Sequence, residues 1–139
     1  MYTVLVIDDS ASMRRIIKDM INTIDEFEVV CVATDAFDAR EKIKEYEPDL
    51  VTIDINMPKM DGVTFLRNLM RLHPMPAVVI SGESVRGNDI FDDGAVGFIA
   101  KPETGEPMQL FQERIKETLL NLTFLLKRYT LKKPPALKK

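Results

Sequence analysis

The stretch Thr3-Val4-Leu5-Val6-Ile7-Asp8-Asp9-Ser10 decides how this chain is read. A short, mostly β-branched apolar run ends abruptly on two carboxylates and a hydroxyl. Runs of the same kind recur at residues 29–33, 50–54, 77–81 and 97–100, apolar almost throughout. Strands that are apolar on both faces are expected when helices cover both sides of a parallel sheet. The intervening stretches have helical spacing. Residues 11–24 place Met13, Ile16, Ile17, Met20, Ile21 and Ile24 on one face, with Ser10 or Ser12 as N-cap. Residues 36–46 turn Ala36, Ala39, Ile43 and Tyr46 inward behind an Asp35 cap, and residues 63–72 follow the turn signal Asp61-Gly62 and end near His73-Pro74. Residues 84–94 contain Gly87, Asn88 and Asp92-Asp93-Gly94, so a short or irregular fourth helix is expected. A last helix starts near Pro107 and carries Met108, Phe111, Ile115, Leu119, Leu122 and Leu126 at intervals of three and four. The pattern predicts an α/β domain: a doubly wound (βα)5 sheet of five parallel strands.

The remaining composition narrows the function classes. With 139 residues, 45% hydrophobic and 29% charged, the chain fits one domain. No apolar run approaches the roughly 20 residues of a membrane span, and the N-terminus lacks the basic flank and cleavage site of a signal peptide, so a cytoplasmic protein is expected. One cysteine, Cys31, and one histidine, His73, provide neither an internal disulfide nor a zinc site; any metal must be held by oxygen. Cys31 lies in a strand and reads as a small buried hydrophobe, and His73 as a loop residue. The formal charge of −3 conceals an asymmetry. Six of the 19 Lys and Arg lie in residues 127–139, which hold no acid, leaving 13 against 22 acidic residues, or −9, in residues 1–126. An acidic body repels phosphate backbones, so nucleic acid is not expected as a partner. The division expected is a domain over 1–126 and a basic linker or tail, containing Pro134-Pro135, over 127–139.

In an open parallel sheet the ligand site lies beyond the carboxyl ends of the strands. Here those ends supply Asp8-Asp9, Asp54, Ser81 and Lys101-Pro102. Three carboxylates on one edge repel each other unless a hard cation or a base neutralises them, and an oxygen-only ligand set suits Mg²⁺. Asp54, with Mg²⁺, Lys101 and the Ser81 hydroxyl beside it, has the equipment to accept a phosphoryl group. Taken singly, an acidic pair at a helix start, a turn serine and a solvated lysine are unremarkable. Their joint placement at strand ends is not.

Val4-Leu5-Val6-Ile7-Asp8-Asp9-Ser10, the run from Asp49 to Gly62, Ser81 and Lys101-Pro102 resemble the receiver domain of two-component response regulators, over residues 2–122. The resemblance implies a flavodoxin-like fold. It also implies phosphorylation of Asp54 by a histidine kinase, Mg²⁺ held by Asp8, Asp9, Asp54 and the main-chain carbonyl of Asn56, a cis peptide before Pro102, and Ser81 and Phe98 as the pair that moves on phosphorylation. Asp8-Asp9-Ser10-Ala11-Ser12-Met13-Arg14-Arg15, His73-Pro74-Met75-Pro76 and Gly94-Ala95-Val96-Gly97-Phe98-Ile99-Ala100-Lys101-Pro102 are most similar to receivers of chemotaxis protein-glutamate methylesterases. In those proteins phosphorylation of the receiver relieves inhibition of an attached esterase domain. Asn56 and Gly97 depart from that pattern, and the pair Asn56/Glu83 is closer to stand-alone chemotaxis receivers.

The expected function is therefore a phosphorylation switch, with a chemotaxis-type histidine kinase and an attached or separate methylesterase domain as partners. The alternatives are a stand-alone receiver acting as a binding module and an Asp-nucleophile phosphohydrolase; the latter would need Asp-x-Asp after the first strand, and Asp8-Asp9-Ser10 lacks that spacing. Leu120, Phe124 and Leu125 fall outside the core stripe of the last helix, so an effector or a second copy of the chain is expected against that helix, the strand bearing Phe98 and residues 84–94.

Overall fold

The computed structural model describes residues 1–82 and 87–132. Strands β1 (Tyr2–Ile7), β2 (Phe27–Ala33), β3 (Leu50–Ile53), β4 (Ala77–Ser81) and β5 (Gly97–Ala100) alternate with helices α1 (Ala11–Asn22), α2 (Ala36–Tyr46), α3 (Gly62–Leu72), α4 (Gly87–Asp92) and α5 (Met108–Asn121), and a further helix, α6 (Thr123–Lys132), follows. All pairings are parallel and the strand order is β2-β1-β3-β4-β5.

The continuous apolar runs are explained by two separate cores. Along β1, Val4 and Val6 point into a cluster with Ile17 and Ile21 of α1 and Phe111, Ile115 and Leu119 of α5. Leu5 and Ile7 point the other way, toward Ala36, Ala39 and Ile43 of α2 and Phe65, Leu66 and Leu69 of α3. Successive side chains thus serve opposite faces, and both faces are dry.

The helix caps follow from local chemistry. Ser10 Oγ accepts from the Met13 N–H, an Asp35 carboxylate oxygen from Asp38 and an Asp61 oxygen from Thr64, each satisfying an orphan donor of the first turn. Gly62 sits in the first turn of α3 for a reason other than turn formation. A Cβ there would lie 2.4 Å from the Asp54 carbonyl oxygen and 2.7 Å from the Ile55 Cα, so only glycine lets α3 seat against the backbone carrying Asp54.

Several expectations need correction. The helix drawn over 11–24 ends at Asn22, although Ile24 remains buried. Tyr46 is exposed rather than inward, because α2 ends there and Glu47 turns left-handed at φ 47°. Met108 is likewise exposed. The last helix is two helices: the Leu122 and Thr123 N–H and hydroxyl groups tighten onto the preceding turn, with the Thr123 hydroxyl donating to the Leu120 carbonyl at 2.8 Å. α6 then crosses to the other end of the sheet from the strand carboxyl termini. Leu126 is fully buried in the α1/α5 core and Tyr129 packs on the α2/α3 core. Residues 127–132 of the basic tail are therefore helical, and Pro134-Pro135 lies outside the described residues. Among the described residues no helix is long and apolar enough to cross a membrane.

Candidate functional site

The sheet places the polar strand ends by continuing its backbone ladder one residue past each strand. The Asp8 N–H donates to the Ala33 carbonyl at 3.1 Å, the Asp54 N–H to the Ile7 carbonyl at 3.1 Å, and the Lys101 N–H to the Ser81 carbonyl at 3.0 Å. The order β2-β1-β3 makes the β1/β3 boundary the point where connections diverge to opposite faces, the usual place for a ligand crevice.

Carboxylate oxygens of Asp8, Asp9 and Asp54 lie within 4.8 Å of one another there. Asp8 and Asp54 are buried and Asp9 is exposed, so one side of the cluster opens to solvent. Lys101 Nζ sits between the two buried acids, 2.8 Å from Asp8 Oδ2 and 3.1 Å from Asp54 Oδ2. The remaining oxygens are committed to backbone: Asp8 Oδ1 accepts the Ser10 N–H at 2.9 Å and Asp54 Oδ1 accepts the Asn56 N–H at 3.2 Å. Ser81 is buried at the end of β4, one pairing position before Lys101.

One lysine does not balance three carboxylates. Burial, the largest influence, pushes the Asp54 carboxyl above the usual range; the Lys101 charge pulls it back, and the Asp8 charge adds to the rise. Burial also opposes the charge on Lys101, but its hydrogen bond and attraction to Asp8, together with Asp54, hold its pKa above the ordinary lysine value. The cluster therefore keeps excess negative charge. Asp8 Oδ2 is buried, with the Lys101 ammonium as its close partner at 2.8 Å. An acidic oxygen set with spare lone pairs and an open side fits a hard divalent cation better than a softer one.

Two arginines, to which the sequence reading gave no role, hold this edge in place. Arg14 Nη1 donates to the Asp8 carbonyl at 2.8 Å. Arg114 donates from Nε and Nη2 to the Ala100 carbonyl at 3.1 and 2.9 Å and pairs with Glu106 at 2.6 Å, fixing the backbone just before Lys101. Lys59, in the loop after Asp54, adopts φ 71° and reaches Asp35 at 3.2 Å, tying that loop to the start of α2.

Of the expected residues, Asp8, Asp9, Asp54 and Lys101 come together, and Asn56 contributes its amide to Asp54 from an exposed side-chain position. Phe98 is half-buried on β5 opposite Val79, outside the acidic cluster and against the α2/α3 core. The Lys101–Pro102 peptide is trans, correcting the cis expectation. Proline lowers the preference for trans to about 0.5–1 kcal/mol without abolishing it, so the dipeptide alone does not dictate the isomer. Cys31 is half-buried and burial pushes its thiol up to about 11, which leaves no reactive thiolate. His73 caps the far end of α3, away from Asp54. Glu83 lies outside the described residues, as do residues 84–86 of the fourth crossover; α4 itself is six residues long.

Residues 4–113 match the response regulator receiver domain. The chain belongs to that family. The receiver is 53% identical over 104 residues to the protein-glutamate methylesterase/protein-glutamine glutaminase of Hydrogenovibrio crunogenus, a match covering 72% of this chain and 28% of that protein. Its fold is similar to the response regulator domain of Thermotoga maritima CheB, with a TM-score of 0.77, 33% identity and coverage of 96% of this chain and 99% of that one. It is also similar to a chain of the CheX-CheY-BeF3-Mg complex of Borrelia burgdorferi, with a TM-score of 0.71, 29% identity and coverage of 85% and 89%. The receiver spans about a third of the length of the curated relatives it matches. The doubly wound architecture expected from the strand pattern, and the flavodoxin-like fold that the resemblance implied, are what these neighbours share.

Proposed function

We propose that this receiver is a phosphorylation switch of a chemotaxis two-component system, that Asp54 accepts the phosphoryl group from a histidine kinase, and that the output is control of a protein-glutamate methylesterase domain. The single observation that carries the chemistry is the Asp54 carboxylate, buried at the β1/β3 boundary with a lysine on one oxygen, a backbone amide on the other and two further acids beside it. The likeness to methylesterase receivers, on both sequence and fold, supports the choice of effector. A cytoplasmic location accords with this role.

In the transfer, an Asp54 carboxylate oxygen forms the new O–P bond as the N–P bond of a phosphohistidine breaks; the imidazole leaves with the electron pair and is protonated. Asp8, Asp9, Asp54 and the Asn56 carbonyl would hold Mg²⁺, which supplies neutralisation of charge on the phosphoryl oxygens. Lys101, already cationic and held between Asp8 and Asp54, supplies the second fixed positive charge. Asn56 N–H orients the acceptor carboxylate, and the Ser81 hydroxyl donates to the phosphoryl group once it is attached. That new bond draws Ser81 inward. Phe98, half-buried against the α2/α3 core, follows it, which moves the surface formed by α4, β5 and α5.

The test is incubation with acetyl phosphate and Mg²⁺ followed by intact-mass measurement. One phosphoryl group is expected, lost in Asp54→Asn and on chelation of the metal; equal labelling of Asp54→Asn would overturn the assignment.

A further inference from the structure

The side of the molecule formed by α2 and α3 carries a feature that phosphoryl transfer does not use. A groove of about 290 Å³ runs between these helices, over a floor that includes the buried Phe65 and Leu69. Its lips hold Phe37, 50% exposed, and Leu72, 59% exposed, which is unusual exposure for two large apolar side chains facing one depression. The polar members of the lining are Arg40, Lys44, Asn68 and His73, and no carboxylate lines it. Residues 1–126 carry a net charge of −9, so a rim of cations alone runs against the character of the whole body. Among the described residues neither Arg40 nor Lys44 has an ion-pair partner.

We propose that the α2/α3 groove is a docking site for an acidic amphipathic segment of a partner protein, which seats large apolar side chains between Phe37 and Leu72 and places carboxylates on Arg40 and Lys44. Charge complementarity selects this occupant. A basic segment would meet two unpaired cations, and a purely apolar one would leave them desolvated at its edge. A helix-in-groove mode suits the shape, because an apolar stripe on one helix fits the furrow between two others. The site lies apart from Asp54, so its occupancy can be tested without touching phosphoryl transfer.

The experiment titrates the ¹⁵N-labelled chain with a synthetic amphipathic peptide bearing Phe and Leu one helical turn apart and Glu between them, and with a twin carrying Lys in place of every Glu. The acidic peptide is expected to shift backbone amides of residues 36–44 and 65–73, and its binding to weaken with added salt. The double change Arg40→Glu, Lys44→Glu should weaken it by about tenfold or more, since two attractive rim charges become repulsive. Phe37→Ser, at an exposed site, should weaken it without loss of fold, checked by unchanged phosphorylation of Asp54. Absence of binding, equal binding of the Lys twin, shifts centred on α6, or survival of binding in the charge-reversed variant would each overturn the proposal.

Discussion

The charge imbalance around Asp54 predicts that its carboxylate destabilises the metal-free fold. At an effective dielectric of about 20, the 3.1 Å approach of Lys101 attracts the Asp54 carboxylate by about 5 kcal/mol. Asp8, within 4.8 Å, repels it by about 3.5 kcal/mol. Exposed Asp9 repels it by about 1 kcal/mol after screening. These nearly cancel, so the desolvation of a buried carboxylate, several kcal/mol before its hydrogen bond to Asn56, is left largely unopposed. Asp54→Asn keeps an oxygen for the Asn56 N–H and removes the buried charge. It should therefore stabilise the metal-free chain by about 1–3 kcal/mol, raising Tm by roughly 3–10 °C.

The sign of the pH dependence follows from the raised folded-state pKa of Asp54. Between the unfolded value of 3.8 and the higher folded value, the folded state binds more protons, so the Asp54 penalty is full above that window and fades as pH falls through it. The advantage of Asp54→Asn should fade in step. Mg²⁺ should oppose it at neutral pH, because a cation at about 100 times its Kd adds about 2.7 kcal/mol to a fold that binds it, and the variant lacks one of the three clustered carboxylates. Urea denaturation in the presence of EDTA, across pH and then with Mg²⁺, measures all of this. If metal-free Asp54→Asn at neutral pH is less stable than the parent, the Asp54 carboxylate is a structural group and the electrostatic reasoning fails.

Two further substitutions probe the scaffold. Gly62→Ala should cost about 1–3 kcal/mol by denaturation, because its Cβ meets the Asp54 and Ile55 backbone, which must shift; a neutral effect would show that α3 seats independently of Asp54. Asp61→Ala should cost about 1 kcal/mol through loss of the α3 cap. The backbone hydrogen bond to Thr64 chiefly holds the Asp61 pKa below its ordinary 3.8, so its ionised form adds stability above 3.8 that is lost as pH falls through the lowered value. Asp61→Asn, which can still cap, should retain most of the stability but lose that acid sensitivity in a pH series of unfolding curves.

The strands and the acidic edge were legible because each rests on residue type alone: apolar runs with helices on both faces leave a short list of polar residues at their ends. Features that depend on anonymous backbone were not. Nothing in the order of residues says that Arg14 grips the Asp8 carbonyl or that Arg114 grips that of Ala100, since any residue offers a carbonyl. Gly62 was visible as a turn signal, but its true constraint, the approach of α3 to the Asp54 backbone, involves a neighbour brought in by the tertiary fold. The α5–α6 break escaped the periodicity because Leu126 stays apolar in register and enters the same core as Phe111, Ile115 and Leu119 from the helix beyond the break. Tyr46 and Met108 are the last residue of α2 and the first of α5, and both are exposed although their spacing fits the buried stripe.

The central claim, phosphoryl transfer to Asp54, is tested most directly by chemical trapping of the acyl phosphate. The chain is phosphorylated with acetyl phosphate and Mg²⁺, reduced with borohydride, which converts an aspartyl phosphate to homoserine, and analysed by peptide mass spectrometry. The account predicts homoserine at position 54, with Asp8 and Asp9 intact. Homoserine at either of those positions, or a phosphorylated chain with Asp54 unreduced, would contradict it.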